Sequence, residues 1–453
     1  MKLSHRKNCI GRPWGSPCAT CVPSTNEKRK RAMETTTGCN LFNWSRPLRR
    51  LTASAVGLLC VCEVALGEGT TLKFWDNQQT ESGLSQYQAE AVKRFEAENP
   101  GIKVEVTTIP YPEYQQRLLT AVKGNNAPDV STVDQIWNSA FAEAGAIDKL
   151  DDKAKAAGIK SDEFFKGAWD SANFNGGLWG IPFNVDVWFF NYYNKKLLLE
   201  AGIDPASITT WKGLKEAAEK LTNPAKGRFG PGFFAHKGED TICVVDSFIY
   251  SNGGEIIDDK GKCALDQPAA IEALEYLKSL QAYAPKGVLN AASEDMRQLF
   301  LNGSLAMEFW PALEQPSLQK SAIDWDFTAG FAPEGKKPVG TYGGWNLVLY
   351  SQSKNKDAAW KFIRFLTRPD VNGSVVDLLP ANVAAAKEFL TRNRKNPDVI
   401  LQYLSTAKPR PLSPRYLEVS EIENTLVQDV LSGMEIKAAA KKACAAIDQL
   451  SGS

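Results

Sequence analysis

Two tryptophans and an arginine stand where this chain could hold a flat, hydroxylated ligand. Residues 302–313 read NGSLAMEFWPAL: Leu305-Ala306-Met307 runs into Glu308, Phe309 and Trp310 and stops at Pro311. Proline gives no N–H to a sheet ladder, so the spacing predicts a strand ending with an indole at its mouth. Tyr342-Gly343-Gly344-Trp345-Asn346 is a second such place, where two glycines free the backbone just before a tryptophan and a strand. An indole so placed is either core filling or a stacking surface, and stacking is the expectation for both. Asp134 falls at the carboxyl end of an apolar strand pattern, where open α/β sheets bind ligands. Arg410 and Tyr416 lie in a stiff Pro-rich segment, KPRPLSPRY, residues 408–416. Sugars offer C–H faces to aromatic rings and hydroxyls to carboxylate, amide and guanidinium groups, so this set suits a carbohydrate.

Material for catalysis is scarce. The chain has two histidines, His5 and His236, and neither a Gly-x4-Gly-Lys-Ser/Thr loop nor a Gly-x-Gly-x-x-Gly turn after a strand. No catalytic residue, metal site or cofactor is expected. Asp134, Asp186, Glu239 and Glu308 could pair as glycosidase carboxylates, but that role depends on a separation in space. The 53 basic residues against 52 acidic ones argue against a nucleic-acid partner.

The first 67 residues read as an extension and export signal that is removed. Arg49-Arg50, the short apolar run 51–62 and Ala65-Leu66-Gly67 supply the basic flank, the core and the small-x-small cleavage site. Met33 is an alternative start, and Arg49-Arg50 raises a twin-arginine route. Cleavage would leave Cys243, Cys263 and Cys444. A disulfide between Cys243 and Cys263 is the first pairing to consider, with buried free thiols as the alternative.

The elements that must position these residues follow from periodicity. Strands at 71–75, 102–106 and 128–133 alternate with helices at 84–99, 114–124 and 139–144, the order of an α/β sheet with parallel strands. A strand at 185–193, helices at 211–221, 241–251, 268–283 and 293–302, and a hairpin at 254–265 follow. The last part reads as helices at 356–366, 381–393, 418–432 and 437–450.

The motifs FEAENPGIKVEV (95–106), APDVSTVDQIW (127–137), GLWGIPFNVDVWFFNYYNKKLLLEAGI (177–203), LFLNGSLAMEFWP (299–311), YGGWNLVLYSQSKNKDAAWKFIRFL (342–366) and PRPLSPRYLEVSEI (409–422) occur in one order. In that order the chain resembles the extracellular solute-binding proteins of ABC-type sugar importers, family 1, and within them the trehalose/maltose-binding type. The resemblance implies an α/β, two-lobed periplasmic-binding-protein fold of type II. Each lobe would be a mostly parallel sheet flanked by helices, joined by a three-segment hinge near 182–184, 340–342 and 388–390. It implies an N-terminal lobe of residues 68–182 with 341–388, and a C-terminal lobe of 183–340 with 389–453. Carried over residue by residue, the ligand set is Asp134, Trp137, Asp186, Trp310, Gly344, Trp345, Arg410 and Tyr416, with Gln78, Gln79 and Glu81 in the first loop. The implied function is capture of a disaccharide or small oligosaccharide for membrane permease subunits, by a monomer in the periplasm or at the cell surface. Alternatives on the same fold are a polyamine or glycerol-phosphate-type ligand; an exported glycoside hydrolase is the reading from another class.

Overall fold

The computed structural model describes residues 69–77, 85–375 and 378–450. Gln78, Gln79, Glu81 and the expected export signal through Gly67 lie outside the described residues. Thirteen strands are found among the described residues: β1 Thr70–Asp76, β2 Ile102–Thr108, β3 Val130–Asp134, β4 Asn173–Phe174, β5 Gly177–Leu178, β6 Ile181–Val187, β7 Phe190–Asn194, β8 Phe229–Gly232, β9 Leu305–Trp310, β10 Trp325–Thr328, β11 Thr341–Leu349, β12 Leu379–Pro380 and β13 Lys408–Pro409. The larger sheet runs β12-β6-β11-β3-β1-β2, with β13 also on β11; a second sheet runs β10-β7-β9-β8.

Where strands alternate with helices, as in β1, β2 and β3, they are parallel. β11 runs antiparallel to both β3 and β6. In the second sheet β7 is antiparallel to β9 and β10, and β8 is parallel to β9. Both sheets are thus mixed, packed with helices into a two-lobed α/β molecule.

The stretch expected as one strand at 185–193 is two. β6 belongs to the larger sheet and β7 to the second, and the chain turns between them at Phe189, whose φ is +85°. A left-handed backbone is unfavourable for a bulky residue. Here it is held by burial of the ring against Phe248, Phe309 and Phe331. Residues 388–390 lie inside the helix Val383–Asn393 and form no extended link; the extended residues nearby are β13, on the edge of β11.

Two expectations are corrected by packing. Trp310 is completely buried in the second sheet's core, edge-on to Phe300 at 5.3 Å and tilted against Tyr192 at 6.0 Å. Phe300 of the helix Ser293–Leu301 packs on the indole, so Trp310 has no open stacking face and fills the core, with its Nε1 buried without a protein partner. The disulfide joins Cys263 to Cys444, and Cys243 is a buried free thiol. Cys263 lies against the C-terminal helix Ile436–Leu450, where its N–H donates to the Asp448 carboxylate. Cys243 is on the helix Glu239–Ser251, in the electrostatic neighbourhood of Arg410 and Glu239.

Candidate functional site

The site begins at a gap in the larger sheet. β3 pairs with residues 345–349 of β11 and ends at Asp134, opposite Trp345. β13 pairs with Thr341 and Tyr342, and β6 occupies the other edge of β11 there, so β13 takes up the β3 edge two residues further on. Gly343 and Gly344 lie between the two strand ends, flanked by Asp134 from one and Arg410 from the other.

The glycines have a physical reason. Gly344 has φ +144°, and a Cβ there would meet the Asn184 carbonyl oxygen at 2.2 Å. A Cβ on Gly343 would touch Arg410 Nη2 alone, at 3.7 Å, so the guanidinium lies directly over this buried residue.

Arg410 spans the gap. Its Nη2 lies 3.4 Å from Asp134 Oδ1, and its Nη1 donates to Glu239 Oε2 at 2.6 Å. Glu239, the first residue of the helix Glu239–Ser251, also accepts from the Tyr416 hydroxyl at 2.7 Å and from the Ser420 hydroxyl. The guanidinium lies over the Tyr416 ring, 5.8 Å from its centre. Burial pushes the Asp134 carboxyl up to about 6 although Arg410 opposes the shift. Burial works against the Arg410 charge, but Cys243, Tyr416, Asp134 and Glu239 around it hold the group above its ordinary range.

An aromatic wall adjoins this network. Trp345 packs against Tyr111 at 5.9 Å, Tyr114 at 5.9 Å and Trp137 at 5.7 Å, and Tyr111 stacks on Trp137 at 5.8 Å. The Trp137 N–H donates to the Asp134 carbonyl at 2.8 Å, so the turn after β3 sets both the carboxylate and the wall. Several polar atoms here are buried without a protein partner: both amide atoms of Gln135, Trp137 Nε1 and Arg410 Nε. Such atoms are costly unless something hydrogen-bonds to them.

The structure therefore brings together Asp134, Trp137, Gly344, Trp345, Arg410 and Tyr416. It does not bring in Trp310. It also engages Asp186 elsewhere: Oδ1 accepts from the backbone N–H of Val187 at 2.7 Å and Ala312 at 3.2 Å, and Oδ2 from that of Leu313 at 2.9 Å. Three amides occupy this carboxylate, which ties β6 to the turn after β9 and is no free ligand group. Burial pushes it up to about 7, against those N–H donors and Arg394. Sequence reasoning missed Tyr111 and Ser420, and named Glu239 as a hydrolytic carboxylate alone. Tyr111 had a signal, an aromatic residue directly after Pro110 at a helix start.

The chain's relatives agree with this architecture. The family model for bacterial extracellular solute-binding proteins matches residues 77–373, more than half the chain. The chain belongs to that family. It is 27% identical over 397 residues to the diacetylchitobiose-binding protein DasA of Streptomyces coelicolor, covering 83% of this chain and 88% of the relative. An ABC transporter solute-binding protein of Thermotoga lettingae, solved with alpha-D-tagatose, superposes with a TM-score of 0.73 at 27% identity, covering 84% of this chain and 99% of that one. Maltose-bound MalE3 of T. maritima gives a TM-score of 0.72 at 25% identity, covering 84% and 100%. These relatives are solute-binding proteins, not enzymes. No helix among the described residues is long and apolar enough to cross a membrane.

Proposed function

We propose that this chain is the solute-capturing component of an ABC-type sugar importer. It takes a disaccharide or small oligosaccharide, a trehalose- or maltose-like glucoside, and hands it to membrane permease subunits without chemical change. The observation that carries the reading is the gap at Gly343-Gly344, with Asp134 and Arg410 at its two ends and the Trp345 wall beside it. Unpartnered buried polar atoms for hydroxyls and an aromatic wall for a C–H face are the two halves of sugar recognition. Relatives that bind maltose, diacetylchitobiose and tagatose support it.

In this reading the expected lobe bounds at 182 and 388 move to the hinge segments, and the solute is enclosed by hinge closure. The hinge runs through the β6–β7 link, the start of β11 and the β13 segment. The protein acts as a monomer outside the cytoplasm, after removal of a signal ending near Gly67. Titration calorimetry with trehalose, maltose and maltotriose tests the proposal: heat with at least one supports it, and none with any sugar would overturn it.

A further inference from the structure

We propose that the site selects by charge, admitting neutral and amine-bearing sugars and rejecting anionic ones, with Glu239 as the positioning residue that orients and neutralises Arg410. This deepens the sugar reading above and rests on it. Glu239 Oε2 accepts from Arg410 Nη1 and the Tyr416 hydroxyl, and Oε1 accepts from the Ser420 hydroxyl. Both oxygens are engaged by protein donors, so Glu239 is held in place against the guanidinium.

The rest of the guanidinium is differently placed. Arg410 Nε is buried without a protein partner, and Nη2 has Asp134 at a loose 3.4 Å, beside Gly343. The Nε–Nη2 edge is a fork that fits two adjacent oxygens, either a carboxylate or a pair of neighbouring hydroxyls.

The surroundings decide between them. Asp134, Glu239, Asp246 and Glu423 all lie in the electrostatic field of this one guanidinium. The basic side chains next to Glu239 in sequence do not offset them. His236 lies 3.4 Å from Asp240, and Lys237 pairs with Glu421 at 2.6 Å. A further anion would enter a buried region where the Asp134 and Glu239 carboxylates already face the one guanidinium, so it would meet two like charges at close quarters. A vicinal diol uses the fork without adding charge, and an ammonium group finds acceptors nearby. Burial pushes the Asp246 carboxyl up, and that of its neighbour Glu423 with it, so these two acids add little charge of their own.

The test uses matched disaccharides on the full protein, read by thermal unfolding and calorimetry. The β-linked set is chitosan disaccharide (cationic), cellobiose (neutral) and cellobiouronic acid (anionic); the α-linked set is maltose and its uronic acid. The expected result is that the uronic acid is the weakest member of each set that binds, by about tenfold or more, equivalent to ~1.4 kcal/mol. In Glu239→Gln, which keeps one oxygen for Arg410 and the Tyr416 hydroxyl, turns an amide N–H toward the Ser420 oxygen and removes the charge, the neutral-to-uronate preference should shrink. A purely structural role would weaken all members alike and leave that ratio unchanged. A uronic acid binding best, or an unchanged ratio in the variant, overturns the charge filter and leaves the sugar reading standing. No response to any saccharide overturns the sugar reading, and the filter with it.

Discussion

Replacing Arg410 by methionine removes the guanidinium that faces Asp134 and Glu239 while keeping an unbranched apolar stem. The consequence for Asp134 can be worked from its titration. In the folded protein the carboxyl sits at about 6, against about 3.9 in an unfolded chain. At pH 5 and below Asp134 is already mostly protonated in the native protein, so losing Arg410 costs little through this group. Without the guanidinium its folded value must rise further, because burial and Glu239 both push it upward. At pH 8 the native carboxyl is ionised, whereas the variant must keep an unpaired buried charge or bind a proton. Binding that proton two pH units above the native titration costs up to ~2.7 kcal/mol, which caps the extra penalty. The lost contact with Glu239 adds to the cost at either pH. Urea unfolding followed by tryptophan fluorescence, native against Arg410→Met at pH 5 and pH 8, should show a stability gap that widens with pH by roughly 2 kcal/mol. A gap that is constant, or that narrows at pH 8, would refute the placement of Asp134 beside Arg410 in a dry site.

Three further perturbations follow from the packing. Trp345→Ala should weaken sugar binding by about 1–3 kcal/mol in calorimetry. Trp310→Ala should cost about 3–5 kcal/mol of folding stability, with its effect on affinity secondary; the reverse pattern would restore Trp310 as the stacking residue. Cys263→Ser should lower stability by roughly 2–5 kcal/mol, and alkylation mapped by mass spectrometry should label Cys243 only after unfolding. Labelling of native Cys243, or of Cys263 without reductant, would contradict the pairing. Asp186 has a folded value of about 7, well above its unfolded one, so its contribution to stability is full below about pH 4 and is lost as pH rises through 7. Native stability should therefore fall between pH 5 and pH 8 through this group by on the order of 2–3 kcal/mol, and Asp186→Asn should flatten that slope when unfolding is compared across the range.

Local periodicity and breakers carried much of the fold. The helices Trp211–Leu221 and Lys356–Leu366 have the bounds their spacing predicts, because each is amphipathic and sharply terminated. Asp134 was legible because a strand's carboxyl end before a turn is a chemical address in an α/β sheet. Trp310 was misread for the converse reason. Its local signal was identical to an open strand end, and the covering helix Ser293–Leu301 is visible only in three dimensions. Asp186 was misread likewise, because nothing in the sequence shows that Ala312 and Leu313 point their N–H groups at it. The disulfide depended on the C-terminal helix returning to the 254–265 turn, 181 residues away in sequence. The break at Phe189 was hidden by a β-rich run of aromatic residues that the two sheets divide between them.

In the proposed function a sugar binds beside the Asp134–Arg410 pair, against the Trp345 wall. The most direct measurement is thermal unfolding of the protein with trehalose, maltose, sucrose, maltodextrins, spermidine and glycerol phosphate at millimolar concentration, because a ligand of the folded state raises the midpoint by mass action. The expected result is an upward shift with at least one di- or oligosaccharide and none with glycerol phosphate. A shift with glycerol phosphate or spermidine and none with any sugar would contradict it.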